Sequence, residues 1–366
     1  MKKISFLLVI AMLVSLLAGC AGTPVVYYTN CTCPTGSHEA DETPVATEAP
    51  VATEAPVAAD GALKTGLALV TGVGKSASAS ADADGVADYD VTMVAVLVDD
   101  NGIIQDCIID GISTSVKFDS AGAIVSDLTA APQTKNELGE NYGMVAYGGA
   151  VAEWDAQAAA VAAACVGKNY QELQGVVVAE SGYAPEGTDL ATSATIYIGG
   201  YVKAVEAAAA TAVHLGAQAG DTLKMAATTG IDSSKNADAE NAGNAQLDVT
   251  VTALTMNGET ITSCTIDAVQ AKVSFDAAGV ITSDLSAPVQ TKNQLGENYG
   301  MKAWGGAIAE WDQQAASFAA YVTGKTAAEV AGIAVDEGTK PTDADLVTSV
   351  TIAIGGFQAL IAKAAQ

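Results

Sequence analysis

The sequence predicts an α+β fold, built as two tandem copies of a small antiparallel-sheet domain with packed helices. Three observations predict it. Long words of sequence recur once, 157 or 156 residues apart. Apolar residues alternate with a period of two over segments bounded by turn residues. Each copy also contains an alanine-rich stretch of helical length followed by glycine.

The recurrence is specific. Thr134-Lys135-Asn136-Glu137-Leu138-Gly139-Glu140-Asn141-Tyr142-Gly143-Met144 returns as Thr291-Lys292-Asn293-Gln294-Leu295-Gly296-Glu297-Asn298-Tyr299-Gly300-Met301. Glu153-Trp154-Asp155 returns as Glu310-Trp311-Asp312, and Asp189-Leu190-Ala191-Thr192-Ser193-Ala194-Thr195-Ile196 as Asp345-Leu346-Val347-Thr348-Ser349-Val350-Thr351-Ile352. A period this long exceeds any solenoid repeat, so the units are whole domains, placed at 62–214 and 220–366.

Within the first copy, Asp90 to Val98 alternates around Val91, Met93, Ala95 and Leu97, and Ile103 to Ile109 follows after Asp99-Asp100-Asn101-Gly102. This pattern predicts a hairpin. A third strand is expected over Ser113 to Phe118, a helix over Ala150 to Val166 and a short helix or turn over Tyr170 to Gly175. Ala194 to Ile198 alternates and predicts a strand, broken by Gly199-Gly200 before a closing helix from Tyr201 to Thr211.

The chain opens Met-Lys-Lys, then an apolar run from Ile4 to Leu17, then Ala18-Gly19-Cys20. Two lysines, a short apolar run and small residues form an export signal, here residues 1–19, since a spanning helix needs roughly 20 apolar residues. Leu17-Ala18-Gly19-Cys20 resembles the bacterial lipobox, which implies cleavage before Cys20 and lipidation of its thiol. Each buried methylene of the acyl chains then contributes about 0.8 kcal/mol to anchoring in the bilayer. Residues 20–61 are rich in Pro, Thr, Glu, Ala and Val and predict an extended tether, reaching on the order of 120 Å at ~3.1 Å per residue. The expected location is the outer face of a bacterial, Gram-positive cytoplasmic membrane, with the domains extending into the cell wall.

Cleavage would leave 14 lysines, no arginine and 42 acidic residues, a net charge of about −28. Such a chain repels nucleic acid, and the missing arginines remove the usual bidentate phosphate clamp. The only histidines are His38 and His214, which argues against histidine catalysis and, with no nucleophile-elbow serine, against a hydrolase. Cys31 and Cys33 fall in the tether. Cys107 and Cys264, at matching positions on apolar strands, read as buried free thiols, and Cys165 ends the alanine-rich helix. No spacing predicts a metal site.

Asp-x-x-Thr-Ser-Ala/Val-Thr resembles the flavin-attachment motif of FMN-binding domains, Asp-x-x-Ser/Thr-Gly-Ala-Thr/Ser. In that family the last hydroxyl is esterified to the FMN phosphate by a flavin transferase. The resemblance implies attachment at Thr195 and Thr351, two FMN per chain. Asp189 and Asp345 match the leading aspartate, and Thr192 and Thr348 the small hydroxyl residue. Ser193 and Ser349 stand where glycine is usual, and Val350 replaces alanine in the second copy. Tether, domain and domain together resemble the tandem FMN-binding lipoproteins of Gram-positive flavin-based extracellular electron transfer, whose signal peptides encode pheromones. The implied function is an electron carrier, not an enzyme, fed by a membrane redox donor and discharging to small extracellular acceptors. Tyr142, Met144 and Trp154, with Tyr299, Met301 and Trp311, are candidates to pack on the flavin ring. The alternative reading is a surface binding or adhesive module without flavin.

Overall fold

A computed structural model describes residues 61–366, so the expected signal peptide and tether, with Cys20, Cys31 and Cys33, lie outside the described residues. The first copy contributes β1 (Ala62–Gly72), β2 (Gly85–Val98) and β3 (Ile104–Phe118). Helices α1 (Lys135–Leu138), α2 (Met144–Gly148), α3 (Trp154–Cys165), α4 (Asp189–Ser193) and α5 (Gly199–Ala210) follow. The second stretch contributes β4 (Val213–Gln218), β5 (Thr222–Gly230), β6 (Gly243–Asn257) and β7 (Thr260–Phe275). It closes with α6 (Lys292–Leu295), α7 (Met301–Gly305), α8 (Trp311–Val322), α9 (Ala327–Ala331) and α10 (Gly355–Ala364). The fold is α+β with antiparallel pairing throughout, in two sheets ordered β3-β2-β1-β4 and β5-β6-β7. Among the described residues no helix is long and apolar enough to cross a membrane.

Strand alternation sets the layers. On β2, Val94, Val96 and Val98 pack with Trp154, Val161, Val202 and Val205 under α3 and α5. Tyr89, Val91 and Met93 point the other way, onto Leu247, Val249 and Val251 of β6. Each sheet therefore has helices on one face and the other sheet on its second face. This is why Met93 to Val98 is buried at every position rather than at alternate ones.

The described residues fall in one compact unit. Their contact is reciprocal: Phe118 stacks on Phe275, 157 residues on, with ring centroids 4.0 Å apart and planes 2° from parallel. The Ala79 N–H donates to Gly279 O at 2.8 Å, and the Ala237 N–H donates to Gly122 O at 2.8 Å. Self-complementary contacts of this kind are what an isologous pairing produces. β4, at the expected junction 214–220, pairs with β1 in the first sheet.

Three expectations need correction. Ser113–Phe118 is not a separate strand but the second half of β3, which pairs with β2 over its whole length. Gly111, between the two expected strands, faces Thr92 in register, and a Cβ there would stand 3.1 Å from Val91 O. The helix begins at Trp154 instead of Ala150, because Glu153, at its N-cap position, is extended (φ −65, ψ 163). Ala194–Ile198 is not a strand, and Gly199-Gly200 opens α5 instead of breaking a strand. The amides of this segment go elsewhere: Ile198 and Gly199 both donate to Gly182 O, and Thr195 donates to a side chain.

Candidate functional site

The recurring words are brought together at the first turn of α3 and, identically, of α8. Glu153 turns its carboxylate onto the preceding loop, accepting from the Met144 N–H at 2.8 Å and the Val145 N–H at 3.0 Å. Glu310 does the same for Met301 at 2.7 Å and Lys302 at 3.0 Å. Charge-assisted bonds of this kind are the stronger sort, and they fix a helix too short to stand alone.

One turn further on lies Gln157, fully buried. Its Nε2 donates to Ala152 O at 2.8 Å, and its Oε1 accepts from the Thr195 N–H at 2.9 Å and from the Thr195 hydroxyl at 3.4 Å. Gln314, also fully buried, donates to Ala309 O at 2.8 Å. It accepts from the Thr351 N–H at 2.8 Å, the Thr351 hydroxyl at 3.2 Å and the Ile352 N–H at 3.2 Å. Residues four apart share a helix face, so the Tyr-Gly-Met loop and the threonine motif are pinned side by side. A buried amide is costly unless satisfied, which makes each glutamine a rigid anchor.

The motif is a turn, not a strand entry. In α4 the Thr192 hydroxyl donates to Asp189 O at 2.7 Å and the Ser193 hydroxyl to the same oxygen at 3.1 Å. In the second copy, Thr348 donates to Asp345 O at 2.7 Å. Asp189 and Asp345 leave their carboxylates exposed. Ser193 is helical, and Ser349 has φ −123 and ψ −17, so neither position demands glycine. Ala194 and Val350 are buried and tack each segment to the core. Thr195 stands exposed and Thr351 half-buried, each with its amide held and its hydroxyl on a long bond.

Of the six ring-packing candidates, Trp154 and Trp311 are buried, and Tyr142, Met144, Tyr299 and Met301 are half-buried against the cores. Trp154 is 2% exposed and donates from Nε1 to the Tyr201 hydroxyl at 3.1 Å, and Trp311 lies edge-on to Phe357 at 5.8 Å. Lys135 Nζ sits 4.9 Å from the Trp154 ring centroid and 5.5 Å from that of Tyr142. Lys292 is 4.8 Å from Trp311 and 4.9 Å from Tyr299. These are cation–π contacts that brace the loop. Tyr299 also donates to Gln270 Oε1 at 3.0 Å, and Met144 and Met301 pack half-buried against their cores.

Below the loop, Asp110 Oδ1 accepts from the Gly111 and Asn136 amides at 2.7 and 3.0 Å. Asp267 accepts from Ala268 and Asn293 at 2.7 and 3.1 Å. Burial pushes both carboxyls above the ordinary value, against the hydrogen bonds they accept. Burial likewise pushes the Cys165 and Cys264 thiols up to about 12, so both are inert as nucleophiles. A groove of about 570 Å³ runs along α3, lined by Asp106, Cys107, Asn136, Asp155 and Ala162, and includes none of the motif residues.

Sequence reasoning missed Gln157 and Gln314, Glu153 and Glu310 as loop anchors, and the lysines of the aromatic boxes. The signal was present: a glutamine at the fourth position of both alanine-rich helices. It also missed Tyr147 and Trp304, the most exposed large residues in this part of the molecule at 93% and 91%. No family model, curated protein or solved structure matches the chain.

Proposed function

We propose that this chain is an extracytoplasmic electron carrier, anchored through Cys20 and holding one FMN by a phosphoester in each copy, at Thr195 and Thr351. One observation carries the reading: in both copies a buried glutamine fixes the threonine backbone and holds its hydroxyl only by a long bond, with Thr195 exposed and Thr351 half-buried. That arrangement suits a residue presented to a modifying enzyme. The serines that replace glycine in the motif sit at negative φ, so the departure carries no backbone strain. A chain without arginine has reason to hold a phosphate covalently, and covalent attachment prevents loss of the cofactor outside the cell. The flavin would supply reversible electron uptake, and the protein would hold and orient it. Its partners would be a flavin transferase, a membrane redox donor and small extracellular acceptors.

Intact-protein mass spectrometry of chain produced with a flavin transferase tests this. Wild type should carry two FMN and the lipid at Cys20. Thr195→Val should lose one FMN, Thr351→Val the other, and the double variant both. Valine keeps the volume of threonine, so the fold should survive. A fully flavinylated double variant, or an unmodified wild type, overturns the reading and leaves the surface-binding module.

A further inference from the structure

Tyr147 and Trp304 occupy matching positions, 157 residues apart, on α2 and α7. Large aromatics left 93% and 91% exposed are unusual in a chain where aromatics are only 5% of residues. Their placement is built. Each helix is a single turn bounded by left-handed glycines, Gly143 (φ 81) and Gly149 (φ 61) in the first copy and Gly300 (φ 81) and Gly306 (φ 61) in the second. The aromatic ring folds back onto the leading glycine. A Cβ on Gly143 would stand 2.6 Å from Tyr147 Cδ2, and one on Gly300 2.4 Å from Trp304 Cδ1. No other residue type could sit beneath the ring without moving it.

The helix carrying the ring is held by Glu153 or Glu310, and the threonine motif by Gln157 or Gln314 one turn on. Val151 (61% exposed) and Ile308 (52%) are exposed apolar residues at matching places between them in sequence. Of the aromatic candidates read from the sequence, Trp154 and Trp311 are buried and Tyr142 and Tyr299 half-buried, each with a lysine over its ring, so Tyr147 and Trp304 are the aromatics most open to solvent in these loops.

We infer that Tyr147 and Trp304 are stacking platforms for the isoalloxazine carried on the threonine of the same copy, an inference that rests on the flavin reading above. An exposed ring backed by glycine offers a flat, polarizable face, and offset stacking of planar systems is favourable. Each platform would position its flavin and shield one face from water.

The test uses flavinylated full-length chain in single-site backgrounds, read by flavin fluorescence and its quenching by iodide, with loading checked by mass. A stacked tyrosine or tryptophan quenches flavin emission. In the Thr351→Val background, Tyr147→Ala should raise fluorescence several-fold and increase iodide access, while Trp304→Ala leaves both unchanged. Tyr147→Trp should restore quenching. In the Thr195→Val background the roles reverse. Because both side chains are almost wholly exposed, melting temperatures should not move. Loaded protein whose fluorescence ignores both aromatics overturns this inference and leaves the flavin reading standing. Wild type without flavin overturns both.

Discussion

Thr195 and Thr351 are held by equivalent glutamines, but in different surroundings. In the first copy Thr188 caps α4, accepting from the Ala191 N–H; Asp189, Thr192 and Ser193 are exposed, and Leu190 and Ala191 are only half-buried against the core. In the second copy, Asp343 accepts from the Asp345 and Leu346 amides, and the turn shortens to a single 3-10 turn over Leu346–Thr348. Leu346 is buried there at 1% exposure, and it draws the segment inward. Gln314 consequently bonds one more amide than Gln157, and Thr351 is half-buried where Thr195 is exposed. The matching words dictate the same anchor, while a few flanking residues decide how far the threonine reaches solvent. On the flavin reading, Thr351 should be the less completely modified of the two.

The comparison presumes that each copy is held in place by the other, and the largest predicted effects test this. Phe118→Ala or Phe275→Ala should cost about 3–5 kcal/mol by denaturant titration, and the double variant less than the sum, because the rings touch. Residues 220–366 alone would expose Phe275, Val249, Val251 and Val273. Since the contact is self-complementary, this fragment should sediment as a dimer. A stable monomer with a cooperative melt would instead restore the independent domains that the repeat suggests.

Next in size are the glutamine anchors. Gln157→Leu and Gln314→Leu each strand backbone groups, at roughly 1–3 kcal/mol for each left unpaired and buried. Gln314→Leu should be the worse of the two, since its partners are more numerous and less wet. Equal losses in thermal melts would show that exposure of the threonine is irrelevant to its anchor.

The smallest effect is a pH dependence. A carboxyl raised on folding contributes stability that is complete below its unfolded pKa, near 3.8, and is lost as pH rises through the folded value. Asp110→Asn and Asp267→Asn should therefore gain on wild type as pH climbs from about 4 to neutrality. The gain should be larger at Asp110, where Glu137 adds repulsion, than at Asp267, where Lys292 helps the charged form. Variants that lose ground with rising pH would reverse the assignment.

Much of the scaffold was legible before any coordinates. Val91, Met93, Ala95 and Leu97 mark one face of β2 by alternation, and that face is buried against the second sheet or its rim. Thr134 with Glu137 and Thr291 with Gln294 form capping boxes that any reader of local pattern can find. β1, β4 and β5 were not read from the sequence, although Gly220 (φ 93) and Asp221, which accepts from the Gln218 N–H, mark the turn between β4 and β5; that β4 pairs with β1 instead of β5 is a long-range choice. The threonine segment was misread for a related reason. Ala194 to Ile198 alternates like a strand, but its alternation reflects burial of Ala194 and Ile198 in an irregular loop.

What the sequence alone determined, then, is the α+β class of fold and the recurring words, since each depends on residues near one another in the chain. Only the tertiary structure decided which side chains are free to meet a ligand. Trp154 and Tyr147 are both aromatics seven residues apart, and no local rule separates them. One is buried because α3 lays it on β2 and Tyr201, and the other is exposed because a glycine turn lifts it off the core. That choice is made by long-range packing, which couples residues distant in sequence and leaves no trace in a local pattern.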